Sequence, residues 1–435
     1  MDSALGQQTL RKVSRHIIPF IFVLYIIAFL DRVNLGYAAL TMNKELGLSS
    51  AVFGLISGIF FLGYFIFEVP SNILMHRIGA RVWIARIMIS WGIVVIVTAW
   101  VSNATHLYIL RFLLGVAEAG FFPGIILYIT YWFPAKQQAR AFAFFMTALA
   151  ASNIIGAPVS TWILGFNALG LHGWRWLFIL EGSPAILFGI ITLIFMTDRP
   201  EKAHWLSSEE KKWLIAELES EQKAKPQVKQ LSKLQVFVNP RVWHLSAIYL
   251  TLVVGLYGIG FWLPQIVKAF SKTGSNQMVG FITMIPYVVG GISMVLVARH
   301  SDKTGERRYH TAIPPLIGAA ALIGAGMTTN PYVSVAMLSI ATAGIYSFFG
   351  SFWSLPPMFL AEEAAAVGIA VINSIGNLGG FVGPYALGAL KGATGSMTSG
   401  LYFLSGSLIA TTLLVLAIRK EHVSVSHLGG NSKNA

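Results

Sequence analysis

Residues 17–39 read IIPFIFVLYIIAFLDRVNLGYAA, which is long enough for one helix to cross the hydrocarbon core of a membrane. Residues 17–30 carry no charge, yet Asp31 and Arg32 follow them inside the same apolar stretch. Similar stretches recur along the whole chain, and twelve spans are predicted, at about 17–39, 51–73, 83–101, 106–130, 139–162, 175–197, 244–267, 278–298, 311–328, 332–355, 366–390 and 400–418. The sequence therefore predicts an all-α polytopic membrane protein with twelve transmembrane helices.

The composition agrees with this class. Hydrophobic residues make up 55% of the chain and charged residues 11%, against about 25% charged in soluble domains. The first apolar run is too long for the core of a signal peptide and no small-residue cleavage site follows, so it is expected to remain as a span. The chain contains no cysteine, which excludes disulfides and thiolate metal sites.

The net charge of +13 could suggest a nucleic-acid partner, but its distribution indicates a membrane topology instead. If the N-terminus is cytoplasmic, 24 of the 31 lysine and arginine residues fall on the cytoplasmic side and five on the opposite side. This asymmetry follows the positive-inside rule. It predicts that both termini are cytoplasmic and that the partners are the lipid bilayer and small solutes, with no nucleic acid.

One long polar segment, residues 197–241, divides the predicted spans six and six. The expected domains are therefore an N-terminal six-helix bundle (residues 1–197), a cytoplasmic linker (198–243), and a C-terminal six-helix bundle with a tail (244–435). Within the linker, Ser207 and Glu210 have the spacing of a capping box, which predicts a surface helix from there to about Leu218.

The two halves carry a faint internal repeat. HRIGARVW follows the second span and SDKTGERRY follows the eighth. Their alignment pairs His76 with Asp302, Arg77 with Lys303, Gly79 with Gly305, and Arg81 with Arg307. Two pseudo-symmetric six-helix halves are what a rocker-type transporter needs, with its site near the membrane midplane between the repeats.

DKTGERR, residues 302–308, resembles the cytoplasmic loop signature of the major facilitator superfamily. RFLLGVAEAGFFPG (residues 111–124), together with FLDRVNLGYAAL (29–40), narrows the resemblance to the anion:cation symporter family. Members of that family include bacterial carriers for tartrate, galactonate, rhamnonate and hydroxyphenylacetate, and animal vesicle carriers for sialic acid and glutamate. The resemblance implies a bacterial inner-membrane carrier with Asp302 and Arg307 as gating or ion-pair residues. The first-half copy departs from the signature, since His76 stands where the family usually has Asp, and this implies a weaker gating contact there.

Four ionisable residues within the predicted spans are candidates for function: Asp31, Arg32, Arg111 and Glu118. Each costs about 2.5–3.5 kcal/mol at a helix centre, so a functional role is the default interpretation. Glu118 lies near the centre of the fourth span, and Arg111 lies roughly 10 Å nearer the outer surface. The alternative is purely structural: two ion pairs holding spans one and four together. Arg111, being nearer the outside, also suits a gate.

The charge chemistry favours proton-coupled transport of an anion. Arg32 offers a permanent charge and a planar fork of donors that match a carboxylate. Asp31 and Glu118 can be neutralised, so they are the candidate proton carriers. A substrate anion on Arg32 would weaken that arginine's stabilisation of a nearby carboxylate and so favour its protonation. The family resemblance implies the same roles: proton coupling at Asp31 and Glu118, and carboxylate binding at Arg32.

Several polar or aromatic residues are weaker candidates for contacts with the substrate. They are Tyr64 in the second span, Asn377 in the eleventh, and also Gln265 and Trp353. Asn373 lies one turn before Asn377 and could line the same face. A hydrogen bond between helices is the competing explanation for these asparagines. The glycines of GNLGGFVG are expected to permit close helix packing.

The sequence contains no nucleophile–base set, phosphate-binding loop or metal-ligand spacing, so it predicts neither an enzyme nor a bound cofactor or metal. The preferred function is uptake of a small carboxylate of the tartrate or sugar-acid type by proton symport. An aromatic-acid carrier for hydroxyphenylacetate or phthalate is the runner-up. An anion exporter, a proton-independent carrier and a membrane sensor remain as alternatives. No obligate protein partner is implied, and a monomer is predicted.

Overall fold

The computed structural model of the protein describes residues 4–224, 239–270, 274–356 and 362–418. Parts of the predicted linker and the whole predicted tail after residue 418 lie outside these ranges. The described chain contains no β-strand. It folds into the helices α1 (Ala4–Glu45), α2 (Ser50–Ile78), α3 (Ala80–Thr98), α4 (Ala104–Glu118), α5 (Phe121–Trp132), α6 (Ala135–Ile163), α7 (Gly173–Phe195), α8 (Ser208–Ala224), α9 (Pro240–Phe270), α10 (Asn276–Thr304), α11 (Arg308–Met327), α12 (Pro331–Phe352), α13 (Glu362–Asn377), α14 (Gly379–Thr394) and α15 (Met397–Leu416).

Within the described ranges, eleven helical stretches are long and apolar enough to cross a membrane, counting α4 and α5 together as one. The span predicted at 366–390 is divided between α13 and α14, which have 16 residues each and meet at Leu378. Neither helix alone reaches the roughly 20 residues that a span requires, but together they cover the predicted span as one interrupted helix. The prediction of an all-α polytopic membrane fold is confirmed.

Contacts divide the chain into two compact units. The first consists of Met1–Val228 and Phe261–Met284, and the second consists of Lys229–Gly260 and Ile285–Ala435. The division of the sequence at residues 197 and 243 into two bundles and a linker stays a prediction.

Polar residues define where several helices begin. Asn103 Oδ1 accepts a hydrogen bond from the main-chain nitrogen of His106 at 3.0 Å, which caps α4. Ser49, Asn330 and Ser396 cap α2, α12 and α15 in the same way. Such a cap satisfies a main-chain donor that the helix itself leaves open and contributes about 1 kcal/mol.

Glycines allow helices within each unit to approach closely. In the first unit, a Cβ added to Gly115 of α4 would collide with the main-chain oxygen of Phe60 on α2. In the second unit, a Cβ added to Gly383 of α14 would collide with the main-chain oxygen of Val254 on α9. The expectation that the glycines of GNLGGFVG permit close packing is therefore confirmed. Only glycine lets two main chains cross at this distance.

The predicted surface helix is present as α8, and the capping box at its start is formed. The main-chain nitrogen of Ser207 donates to Glu210 Oε2 at 2.8 Å, and the main-chain nitrogen of Glu210 donates to Ser207 Oγ at 3.1 Å. Lys12 Nζ of α1 lies 2.9 Å from the same carboxylate oxygen of Glu210. One buried carboxylate thus both starts α8 and attaches it to α1.

Replacing Glu210 with alanine is expected to lower the free energy of unfolding α8 by about 1–2 kcal/mol, because both the cap and the pairing with Lys12 are lost. The hydrogen bond from Ser207 N–H, aided by Lys12, lowers the pKa of Glu210 against the raising effect of its burial. The pKa of Glu210 is lower in the folded protein than in the unfolded chain. The stabilisation is therefore complete at pH values above the unfolded-state pKa, and it disappears as pH falls through the folded-state pKa.

Hydrogen exchange of the α8 amides measures this effect. Exchange should be faster in Glu210→Ala at neutral pH, and the difference from wild type should shrink at acidic pH. The exposed neighbour Glu209 supplies the matched control, Glu209→Ala. Equal protection of α8 in the two variants at neutral pH would contradict the assignment.

Candidate functional site

Asp31 and Arg32 lie in the middle of α1, and both are buried, with 0% and 7% of their surface exposed. Successive residues of an α-helix point about 100° apart around its axis. The two side chains therefore reach different neighbours, and their adjacency in sequence does not make them a single contact site.

Arg32 pairs with Glu118, the last residue of α4. The Arg32 guanidinium nitrogen Nη2 lies 2.8 Å from Glu118 Oε2, and the two side chains are 8% and 1% exposed. Three aromatic rings surround the guanidinium carbon, with centroids at 5.1 Å for Phe60, 5.4 Å for Tyr64 and 6.0 Å for Phe29. A planar cation held against aromatic faces beside a carboxylate is suited to exchange that carboxylate for another.

The position of Glu118 depends on a break in the fourth span. α4 ends at Glu118, and α5 begins at Phe121. Gly120 between them has φ +88°, and a Cβ there would collide with Ser71 Oγ. The left-handed backbone and the lack of space both require glycine at this point.

Arg111 lies two turns before Glu118 and is 1% exposed. Its Nη2 donates to the main-chain oxygen of Arg32 at 3.4 Å, and its guanidinium carbon lies 5.3 Å from the ring of Phe60 and 5.8 Å from that of Phe261. Arg111 and Glu118 are seven residues apart on α4, too far for an ideal direct pair, and both contact Arg32. Of the two ion pairs in the structural alternative, the described residues form one, between Arg32 and Glu118.

Asp31 faces α3. Trp91 Nε1 donates to Asp31 Oδ2 at 2.9 Å, and within the described chain Asp31 Oδ1 has no hydrogen-bond partner. Glu181 of α7 and Glu118 both interact electrostatically with Asp31. Asp31 is thus separated by its contacts from the pair that Arg32 forms.

Sequence reasoning missed two buried carboxyl groups, Glu181 and Glu68, which are 6% and 2% exposed. Both lie within predicted spans, at 175–197 and 51–73, so the signal that identified Asp31 was also present for them. Glu181 Oε1 accepts a hydrogen bond from Ser160 Oγ of α6 at 2.6 Å. Because Glu181 also interacts electrostatically with Asp31, we group it with Asp31, Arg32, Arg111 and Glu118 as the buried charge cluster.

The weaker substrate candidates are distributed between the two units. Tyr64 lies at Arg32, as described above. Gln265 of α9 belongs to the first unit, and its Nε2 is buried without a hydrogen-bond partner among the described residues.

Asn377 and Trp353 belong to the second unit. Asn377 ends α13 and is 8% exposed, and Asn373 one turn earlier is 4% exposed. Tyr249 lies against Trp353 and Gly376: its ring centroid is 5.0 Å from that of Trp353, and a Cβ on Gly376, next to Asn377 in sequence, would collide with the ring.

Asp302 and Arg307 form an ion pair at the turn between α10 and α11, with Arg307 Nη1 2.6 Å from Asp302 Oδ1. Gly305 in this turn has φ +70°. The Asp302 side chain is 68% exposed, so the pair contributes little stability and fixes the shape of the turn instead.

In the first-half copy, the carboxylate comes from a different part of the chain. Asp198, three residues after the end of α7, accepts a hydrogen bond from the main-chain nitrogen of Arg81 at 2.8 Å. Its carboxylate also lies against Gly79, at the start of α3. A carboxylate at the first turn of a helix is favoured by the helix dipole. The departure at His76 therefore does not leave the start of α3 without an acid.

No group of three or more His, Cys, Asp or Glu side chains within the described ranges could hold a metal ion.

The Major Facilitator Superfamily model matches residues 21–384. An Agrobacterium vitis protein named "Putative tartrate transporter" is 49% identical over 418 residues, covering 96% of this chain and 92% of that protein. A quinolone resistance transporter from Acinetobacter baumannii is 39% identical over 400 residues, covering 92% of each. The crystal structure of a bacterial homolog of the human lysosomal transporter Spinster, inward-facing and occupied, matches with a TM-score of 0.71 at 17% identity, over 92% of this chain and 94% of that one.

Proposed function

The chain belongs to the Major Facilitator Superfamily, and on that premise we propose that it takes up a small organic carboxylate together with protons by alternating access. Membership confirms the resemblance read from residues 302–308. The protein is a multi-pass membrane transporter and does not belong to an enzyme family. The proposal concerns what it carries and how transport is coupled to protons.

The observation that carries the proposal is the buried pair of Arg32 and Glu118. A substrate carboxylate can replace Glu118 on the Arg32 fork only if the displaced acid does not remain as an unpaired buried charge. Removing one partner of such a pair costs about 3–5 kcal/mol. Protonation of Glu118 avoids that cost, so substrate and proton enter together and the site stays neutral.

The identity of the anion is proposed from the relative that shares 49% of its sequence with this chain and is named for tartrate. A hydroxy acid presents hydroxyl groups as well as carboxylates. We propose that Tyr64, which lies beside Arg32, contacts these groups. Asn377, Gln265 and Trp353 are proposed for the same role. Arg111 is proposed as a gating residue, because it fixes the main chain of α1 at Arg32.

An aromatic carboxylate is the second candidate, because Phe29, Phe60 and Tyr64 place three ring centroids within 6.0 Å of the guanidinium carbon. A flat ring joined to a carboxylate could stack there. Because another relative, 39% identical, is named a quinolone resistance transporter, export is the alternative direction of transport.

A bacterial inner-membrane location is proposed from the family resemblance, and the charge asymmetry of the sequence supports cytoplasmic termini. We also propose that the transporter acts as a monomer.

The test is a pH recording in lightly buffered suspensions of proteoliposomes given tartrate, galactonate, rhamnonate, hydroxyphenylacetate or phthalate. We expect the outside medium to become more alkaline when tartrate or a sugar acid is added, and not in protein-free liposomes. Alkalinisation with only the aromatic acids would favour the second candidate. Entry of a labelled acid with no pH change would contradict proton coupling.

A further inference from the structure

A second polar site lies on a face of α1 that the Arg32 pair does not use. Asp31 and Asn34 come from α1, Glu181 from α7, Ser160 from α6 and Trp91 from α3. All five residues are buried, with between 0% and 6% of their surface exposed. The proposed substrate mechanism uses neither Glu181 nor Asn34.

The contacts of Glu181 suit a neutral acid better than a carboxylate. Ser160 Oγ donates to its Oε1, while its Oε2 is buried without a hydrogen-bond partner among the described residues. No lysine or arginine of the described chain forms an ion pair with it. A buried carboxylate requires a paired charge and several donors, whereas a protonated acid needs neither.

Asp31 has the complementary arrangement. It receives one strong donor, Trp91 Nε1 at 2.9 Å, and its other oxygen is open. Glu181, on the helix α7 that packs against α1, interacts with it electrostatically. Two buried carboxyl groups that interact electrostatically cannot both be ionised at low cost, so a single proton on one of them is favoured.

The charge balance of the buried charge cluster also indicates one bound proton. It contains three carboxyl groups, on Asp31, Glu118 and Glu181, and two guanidinium groups, on Arg32 and Arg111. The guanidinium groups remain charged at physiological pH. The cluster is therefore electrically neutral only when it also holds one proton, and Glu118 is already paired with Arg32.

Asn34 can serve either protonation state. Its amide lies beside Glu181, short of hydrogen-bonding geometry, and both its Oδ1 and Nδ2 are buried without partners among the described residues. An amide offers an acceptor to a protonated acid and a donor to a carboxylate. A small side-chain rotation would let it follow the proton.

We propose that Asp31 and Glu181 form a carboxyl pair that holds one proton, on one acid at a time, and exchanges it during transport, at a site separate from the Arg32–Glu118 pair. The movement of this proton in transport rests on the proposed symport function, but its presence on the pair does not. Of the helices packed against α7, α1 contributes the ionisable Asp31, whereas α3 and α6 contribute the non-ionisable Trp91 and Ser160. From α4, Glu118 and Arg111 act on the pair through Asp31.

Infrared spectroscopy of the purified, substrate-free protein tests the pair directly, by the C=O stretch of protonated carboxyl groups at neutral pH. Glu181→Gln should remove one such band from the wild-type spectrum. Ser160→Ala should keep the band and move it to higher wavenumber, because the carbonyl loses its hydrogen bond. An unchanged band in both variants would overturn the proposal, and Ser160→Ala alone decides the matter if Glu181→Gln does not fold.

Transport tests the exchange of the proton. With an inward gradient of one pH unit, the loss of one coupled proton lowers the limiting accumulation ratio about tenfold. We expect this in Glu181→Gln but not in Glu68→Gln, which alters another buried carboxyl group, on α2. Undiminished accumulation in Glu181→Gln would overturn the exchange step. If the wild-type protein accumulates no acid, the proposed function fails, and the infrared result still decides whether the pair holds a proton.

Discussion

Replacing Arg32 with alanine is expected to abolish measurable binding of the transported carboxylate. The substitution removes a buried fork of donors, and truncating one member of a buried charged pair costs about 2–5 kcal/mol. This corresponds to a rise in Kd of roughly 30-fold to several thousand-fold. Calorimetric titration of the detergent-solubilised protein with the acid identified by the pH recordings measures the change.

The same variant should also be less stable without substrate, because Glu118 stays buried and loses its partner. Adding Glu118→Ala to Arg32→Ala should restore much of the thermal stability but none of the binding. Arg32→Lys keeps the charge without the planar fork, and should bind more weakly than wild type while staying stable. Arg140→Ala, at an exposed arginine of α6, is the matched control and should bind normally. Normal binding by the double variant would exclude Arg32 as the carboxylate receptor.

The membrane fold could be predicted from the sequence because an apolar run is a local signal. Each run of about 20 apolar residues predicts a helix by itself, and the helices other than α8 cover the twelve predicted spans. The breaks at Gly120 and Leu378 were not predicted. The apolar composition continues through both, and only packing in three dimensions, such as Ser71 against Gly120, fixes where the helix stops.

The candidate site could be predicted only in part. A charge inside an apolar run marks a residue as functional, which identified Asp31, Arg32, Arg111 and Glu118. It does not say which charges meet. Arg32 reaches Glu118, 86 positions away, while its neighbour Asp31 reaches Trp91, 60 positions away. These partners depend on how helices pack, and no local pattern encodes that.

Two carboxylates illustrate the two ways in which a residue can be missed. Glu181 carried the same signal as Asp31, so a complete reading of the sixth span would have found it. Asp198 gave no such signal, because it lies in a polar segment. It accepts a hydrogen bond from the main-chain nitrogen of Arg81, 117 positions away. The internal repeat pointed to His76 for this role, and the fold supplies the acid from the far end of the same half.

Adding one methyl group at Gly115 is expected to cost about 3 kcal/mol or more, the upper end of what overpacking costs in a well-packed core. The new Cβ of Gly115→Ala would collide with the main-chain oxygen of Phe60 on α2. A main chain in a helix cannot turn aside as a side chain can, so α2 and α4 must separate. Glu118 follows Gly115 by three residues, and Phe60 lies against Arg32, so the separation also disturbs the proposed anion site.

Gly260→Ala provides the matched control, because Gly260 lies within α9 and a Cβ there meets no atom within 4 Å. In helices, exchanging glycine for alanine otherwise stabilises by about 0.8–1.0 kcal/mol. The apparent Tm in one detergent at one scan rate should therefore fall in Gly115→Ala and stay level or rise in Gly260→Ala. Binding of the transported acid should weaken in Gly115→Ala alone. Equal Tm values for the two variants would mean that α2 and α4 can part without cost, and that the close crossing does not hold Glu118 against Arg32.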